Sequence, residues 1–150
     1  MKDLRNKVVL ITGAAGGIGL NTAGFFAEAG SRLVLTDINE LALENAKQRL
    51  AKHGVDILTK VVDVTDLKAV EALRDDVQQK FGGVDILINN AGIGFNAELV
   101  DTPLSKWQQL MNINFWAPLY HIQAFIPQMK ARKSGHIVNV ASGQAYFRAP

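Results

Sequence analysis

Apolar positions along the chain follow two different periods. Short continuous runs rich in β-branched residues occur at Val8 to Ile11, Leu33 to Thr36, Ile57 to Val62, Val84 to Asn89 and His136 to Ala141. Runs of this kind suit strands covered on both faces of a parallel sheet. Between them lie stretches with a helical repeat, from Ile18 to Ala29, from Glu40 to Lys52, from Thr65 or Asp66 to about Lys80, and a long one after Thr102. Strand alternating with helix predicts an α/β fold, a doubly wound parallel sheet with right-handed crossovers and helices on both faces. The expected sheet has five strands in the order 3-2-1-4-5, with the ligand crevice at the carboxyl ends of the strands where the winding reverses. No repeat, low-complexity stretch or linker divides the chain, so residues 1–150 are read as one domain.

Punctuation residues sharpen the boundaries. Asn39 precedes the second helix, Thr65 or Asp66 caps the third, and Gly82 with Gly83 stops it. Thr102 is read as a cap with Pro103 in the first helical position. Pro118 and Pro127 fall inside the last helical stretch and predict a kink or break near Ala117.

Composition narrows the function classes. The 150 residues are 48% hydrophobic, enough for a sizeable core. The net charge is +2 and the Lys and Arg residues are scattered, which argues against nucleic acid as a partner. With no cysteine there is no disulfide, thiolate nucleophile or Cys-bound zinc. His53, His121 and His136 lie far apart without metal-ligand spacing and are read as structural or solvated, so no metal is expected. No segment approaches the roughly 18 apolar residues of a membrane span. Asp3, Arg5, Asn6 and Lys7 lead straight into the first strand without a secretory apolar core. A soluble cytoplasmic protein is expected.

The most specific chemistry lies between Lys7 and Gly19. Gly13 follows the first strand and lets the backbone turn sharply. Gly16, Gly17 and Gly19 leave room for a ligand and for close helix packing, and Ile18 opens an apolar face. Unpaired amides at the start of that helix, with the positive end of its dipole, suit a pyrophosphate. A plain glycine-rich turn is the alternative. The strand before and the helix after favour the ligand-binding reading. Asp37 ends the second strand about 20 residues beyond the glycines, where a carboxylate accepts both ribose hydroxyls of an adenosine and repels a 2'-phosphate. That points to NAD over NADP. Taken alone, Asp37 also reads as an ordinary acid near a helix start.

Taken together, the residues resemble the short-chain dehydrogenases/reductases of the classical type. Thr12-Gly13-Ala14-Ala15-Gly16-Gly17-Ile18-Gly19 matches the TGxxxGxG cofactor signature, and Asn89-Asn90-Ala91-Gly92 matches the NNAG motif. Asp63-Val64 falls where the family contacts adenine. Asn114 sits at the position of the active-site asparagine, and Ser142 at that of the catalytic serine. The resemblance implies a Rossmann-type NAD(P)-binding domain in an enzyme that transfers hydride between a nicotinamide cofactor and a small alcohol or carbonyl substrate. It assigns Gly13, Gly17, Ile18, Gly19, Asp37, Asp63, Val64, Asn90, Ala91 and Gly92 to the cofactor, and Ser142 and Asn114 to catalysis. In that scheme Ser142 hydrogen-bonds the substrate oxygen, and Asn114 holds a water that relays protons. Asn90 is equally readable as a tie between strands, through its amide hydrogen bonds.

The family also places a tyrosine and a lysine, in a YxxxK motif, shortly beyond the serine. Tyr146 stands four positions after Ser142, and four further on is Pro150 instead of a lysine, so Tyr146 reads as a loop aromatic or as packing. The domain is therefore expected to be incomplete at its C-terminus and to turn over little substrate by itself. The fifth strand is expected to form an edge, and Phe115, Trp116, Leu119 and Phe125 to lack partners. A homo-oligomer is expected of the full-length protein. A non-catalytic dinucleotide-binding sensor or interaction module is the competing reading.

Overall fold

The structure, a computed structural model, describes residues 3–143. Its centre is a five-stranded sheet in the order β3-β2-β1-β4-β5, formed by β1 (Val8–Thr12), β2 (Arg32–Asp37), β3 (Ile57–Val61), β4 (Ile86–Asn89) and β5 (His136–Asn139). Every pairing is parallel, as the alternation of strand and helix predicts. β5 is shorter than its apolar run. β4 ends at Asn89, opposite Asn139, so Ala141 has no neighbouring strand to pair with.

Helices cover both faces. Val9, Ile11, Leu33, Leu35, Ile86 and Ile88 pack against α1 (Gly17–Glu28) and α2 (Glu40–Leu50). The alternate residues Val8, Leu10, Val34 and Leu87 pack against α3 (Leu67–Phe81) and α5 (Ala117–Ala131). Successive side chains of a strand point to opposite faces, so burial on both sides requires the unbroken apolar runs seen in the sequence. Phe125 departs from expectation. It is fully buried against the Val70, Leu73 and Val77 face of α3, whereas Phe115 and Trp116 are 53% and 41% exposed and Leu119 is half-buried.

The cap residues explain where the helices start and stop. Asn39 accepts from the Ala42 N–H at 3.0 Å, and Asp66 from the amides of Lys68 and Ala69. Gly82 ends α3 in the left-handed region at φ 75°. Before α4 (Leu104–Met111) the cap is Pro103, in extended conformation, and not Thr102. The Thr102 hydroxyl donates instead to the Glu98 carbonyl at 2.9 Å, closing the preceding turn and leaving it no part in capping. Asn112–Trp116 form a π turn immediately before Ala117, where the prolines predicted a break.

The amino-terminal rim of the sheet is locked by Asp85. Its Oδ2 accepts from the Val8 N–H at 2.9 Å, and Oδ1 lies 3.6 Å from the Arg132 guanidinium. Arg132 also donates to the carbonyls of Ser134 and Val84. The end of α5 is thereby fastened to the starts of β1 and β4. The residues with candidate chemistry all lie at the opposite rim.

Candidate functional site

β1 ends in Thr12, and Gly13 turns out of it at φ 62°. Gly16 caps α1 with no side-chain hydrogen bond, and no acidic residue stands in the first turn. The amides of Gly17, Ile18 and Gly19 precede the first residue that can bond back along the helix, Leu20 to Gly16 at 3.1 Å. A Cβ at Gly16 or Gly17 would meet nothing within 4 Å, so the loop is open on that side. Ile18 is 64% exposed beside it. The buried face of α1 therefore begins at Gly19 and Leu20, one residue later than the sequence pattern indicates.

Gly13 and Gly19 are glycines for a different reason. A Cβ on Gly13 would lie 3.0 Å from Ala91 Cα, and one on Gly19 would strike the Gly13 carbonyl and lie 2.7 Å from Asn90 Nδ2. The glycine loop and the Asn90–Gly92 segment are thus in direct contact. Asn90 Nδ2 donates to the carbonyls of Thr12 at 2.9 Å and Gly13 at 3.1 Å. The amide hydrogens of Asn90 therefore tie the Asn90–Gly92 segment to the glycine loop.

Asp37 stands at the end of β2 beside this junction. Its Oδ2 accepts from the Ala15 N–H at 3.1 Å and its Oδ1 from the Asn39 N–H at 3.1 Å. One carboxylate so steadies both the glycine loop and the start of α2. Asp63, beyond β3, accepts from the amide and hydroxyl of Thr65 through Oδ1, at 2.9 and 2.7 Å. A pocket of about 270 Å³ lies between them, lined by Gly13, Asp37, Asp63, Val64, Gly92 and Ile113 among others.

A larger cleft of about 720 Å³ adjoins Ala91 and Gly92 and reaches Asn114, Pro118, Asn139 and Ser142. Asn114 and Ser142, far apart in sequence, therefore line one space, and both are exposed to it. The Asn114 side chain grips Ile93 twice, accepting from its N–H and donating to its carbonyl, both at 2.9 Å. On the cleft floor Asn89 Nδ2 donates to Asn139 Oδ1 at 2.8 Å, while the buried Asn89 Oδ1 has no hydrogen-bond partner. Tyr146 lies outside the described residues.

Thr12, Ile93 and the Asn89–Asn139 pair have no assigned role in the sequence reading. A polar residue closing an apolar strand, as at Thr12, Asn89 and Asn139, is the signal that marks them. His121 is buried on α5, with Nδ1 donating to the Ala117 carbonyl at 2.9 Å and Nε2 without a partner. Burial lowers its pKa below the usual histidine value, against a smaller opposing effect of that hydrogen bond. No cluster of three or more His, Asp or Glu that could hold a metal is found among the described residues. None of the described helices is long and apolar enough to cross a membrane.

The family profile described as short chain dehydrogenase matches residues 7–150. The chain belongs to this family. Among its relatives, an uncharacterised oxidoreductase of Staphylococcus saprophyticus is 35% identical over 143 residues, 95% of this chain and 61% of the relative. An NAD+-bound xylitol dehydrogenase superposes with a TM-score of 0.94 at 38% identity, covering 99% of this chain and 58% of that one. L-Sorbose reductase from Gluconobacter frateurii, complexed with NADPH and L-sorbose, gives 0.92 at 36% identity over 96% and 55%. The chain thus spans about three-fifths of the length of the curated relatives it matches.

Proposed function

We propose that this chain is the NAD-binding part of an oxidoreductase that interconverts an alcohol and a carbonyl compound. The observation that carries the proposal is the open glycine loop. The amides of Gly17, Ile18 and Gly19 precede the first bond back along the helix, a Cβ at Gly16 or Gly17 would meet nothing within 4 Å, and the first turn carries no acidic residue. A pyrophosphate supplies the negative charge that such a helix start favours. The pocket between Asp37 and Asp63 takes the adenosine, with Asp37 accepting from the ribose hydroxyls and disfavouring a 2'-phosphate. Asp63 and Val64 border the adenine, and Ala91 and Gly92 leave room for the second ribose. Asn90 acts on the cofactor through the loop it holds.

The nicotinamide cofactor, when bound, supplies the hydride acceptor or donor. In the larger cleft the Ser142 hydroxyl hydrogen-bonds the substrate oxygen and orients it. Asn114 holds the loop at Ile93 against the helix and carries the proton-relay position of the family. The tyrosine and lysine that complete the family's proton transfer have no match at Tyr146 and Pro150. Turnover by these 150 residues alone is accordingly expected to be slight.

Fluorescence titration with NADH and NADPH tests the proposal. Saturable NADH binding, tighter than NADPH binding, is the expected result, and no binding of either would overturn it. A ketone and aldehyde panel, run on the chain and on a form extended with a family-type C-terminal segment, separates enzyme from sensor. Turnover restored by the extension supports the enzyme, whereas binding without turnover in both forms supports a non-catalytic module.

A further inference from the structure

The helical stretch from α4 to α5 changes register once, and the change coincides with a missing donor. In the π turn the Ala117 N–H bonds to the Asn112 carbonyl, five residues back instead of four. Pro118 follows and has no N–H. An amide at that position would bond to Asn114 in α register or to Ile113 in π register. The α-register donor for Ile113 is Ala117, which is committed to Asn112. Ile113 therefore receives neither of its helical bonds, and Asn114 loses its α-register bond.

The same turn determines where Asn114 points. A π turn holds one residue more than the α-helix it interrupts, so the chain is rotated by about 100° across it relative to α5, and Asn114, in the middle of the turn, takes part of that rotation. In the observed register the Asn114 side chain makes both of its hydrogen bonds to the backbone of Ile93. Gly92 permits the approach, since a Cβ there would stand 3.3 Å from Asn114 Oδ1. Ile93 lines both the 720 Å³ cleft and the 270 Å³ pocket, so the clamp fixes the wall between them.

We infer that Pro118 is a positioning residue whose missing N–H maintains the π turn and so aims Asn114 at Ile93. An N–H restored at this position bonds to the Asn114 carbonyl, draws the turn into α register and releases the clamp. The cofactor consequence rests on the proposed NAD-binding reading. The geometric consequence does not.

Hydrogen exchange at the Ile93 amide is measured in the chain, in Pro118→Ala, in Asn114→Ala, and in Pro118→lactic acid, which lacks both the N–H and the ring. Exchange should rise roughly tenfold in Asn114→Ala and Pro118→Ala and stay near the parent rate with lactic acid. NADH affinity should fall severalfold in the first two and hold in the third. Unchanged Ile93 exchange in a folded Pro118→Ala, or lost protection with lactic acid, overturns the inference. If Pro118→Ala does not fold, the lactic acid variant decides alone. If the parent chain binds no NADH, the cofactor reading fails while the exchange measurement still tests Pro118.

Discussion

Thr12 and Asn90 hold each other reciprocally. The Thr12 hydroxyl accepts from the backbone amides of Asn90 at 3.0 Å and Ala91 at 2.9 Å, and the Asn90 side chain donates back to the Thr12 carbonyl at 2.9 Å. Thr12 is buried and its hydroxyl is the acceptor for both amides, so removing it leaves the two donors without their protein partner. Thr12→Val keeps the shape and strands two donors. A loss of about 2–4 kcal/mol in urea denaturation is expected, against about 1 kcal/mol for Thr12→Ser, which keeps the acceptor. Equal losses for the two variants would show that the hydroxyl does not hold the loop.

Two alanine substitutions separate folding from binding in the glycine loop. Gly19→Ala drives a methyl into the Gly13 carbonyl and toward Asn90, so the Tm should fall by several degrees along with NADH affinity. Gly16→Ala puts its methyl into open space, at a residue whose φ of −162° any amino acid adopts. Its Tm should stay within a degree or two, while NADH affinity falls. A Gly16→Ala chain that binds NADH normally would move the phosphate site elsewhere.

Asp37→Ala removes a charged acceptor from the proposed ribose site and also the anchor of the Ala15 amide. NADH affinity should drop roughly ten- to hundredfold, the range for hydrogen bonds to a charged group. NADPH affinity should change less, which narrows the gap between the two cofactors. Parallel titrations check this, and an unchanged ratio would remove Asp37 from cofactor choice.

His121 gives stability a pH dependence with a definite sign. Burial lowers its folded pKa, so it is the unfolded chain that takes up the proton first as pH falls through about 6.5. Above that value the neutral ring makes no difference. Below it the folded state loses up to about 1.4 kcal/mol per pH unit, until its own pKa is reached. His121→Leu removes the titrating group, and its denaturation midpoint should vary less between pH 7 and 5 than that of the parent chain.

The sheet order and most helix limits are legible because they follow from local patterns. Apolar runs such as Val8 to Ile11 identify buried strands, and Asn39, Asp66 and Gly82 act where their side chains or backbone freedom predict. Thr102 misled because a hydroxyl beside a proline has two local carbonyl and amide choices, and the Glu98 carbonyl wins. Phe125 misled because its burial depends on where α5 crosses α3, a tertiary fact absent from the sequence pattern. The candidate site divides in the same way. The glycine spacing and Asp37 can be read locally, whereas the grip of Asn114 on Ile93 needs two segments far apart in sequence to meet.

The lock of Val8, Asp85 and Arg132 sits at one rim of the sheet, and both pockets sit at the other. The parallel strands hold this fastening and the proposed binding site at opposite ends of the sheet. A substitution in the lining of the 720 Å³ cleft therefore leaves the contacts of Asp85 with Val8 and Arg132 in place, so the cleft can be reshaped without loosening that end of the sheet.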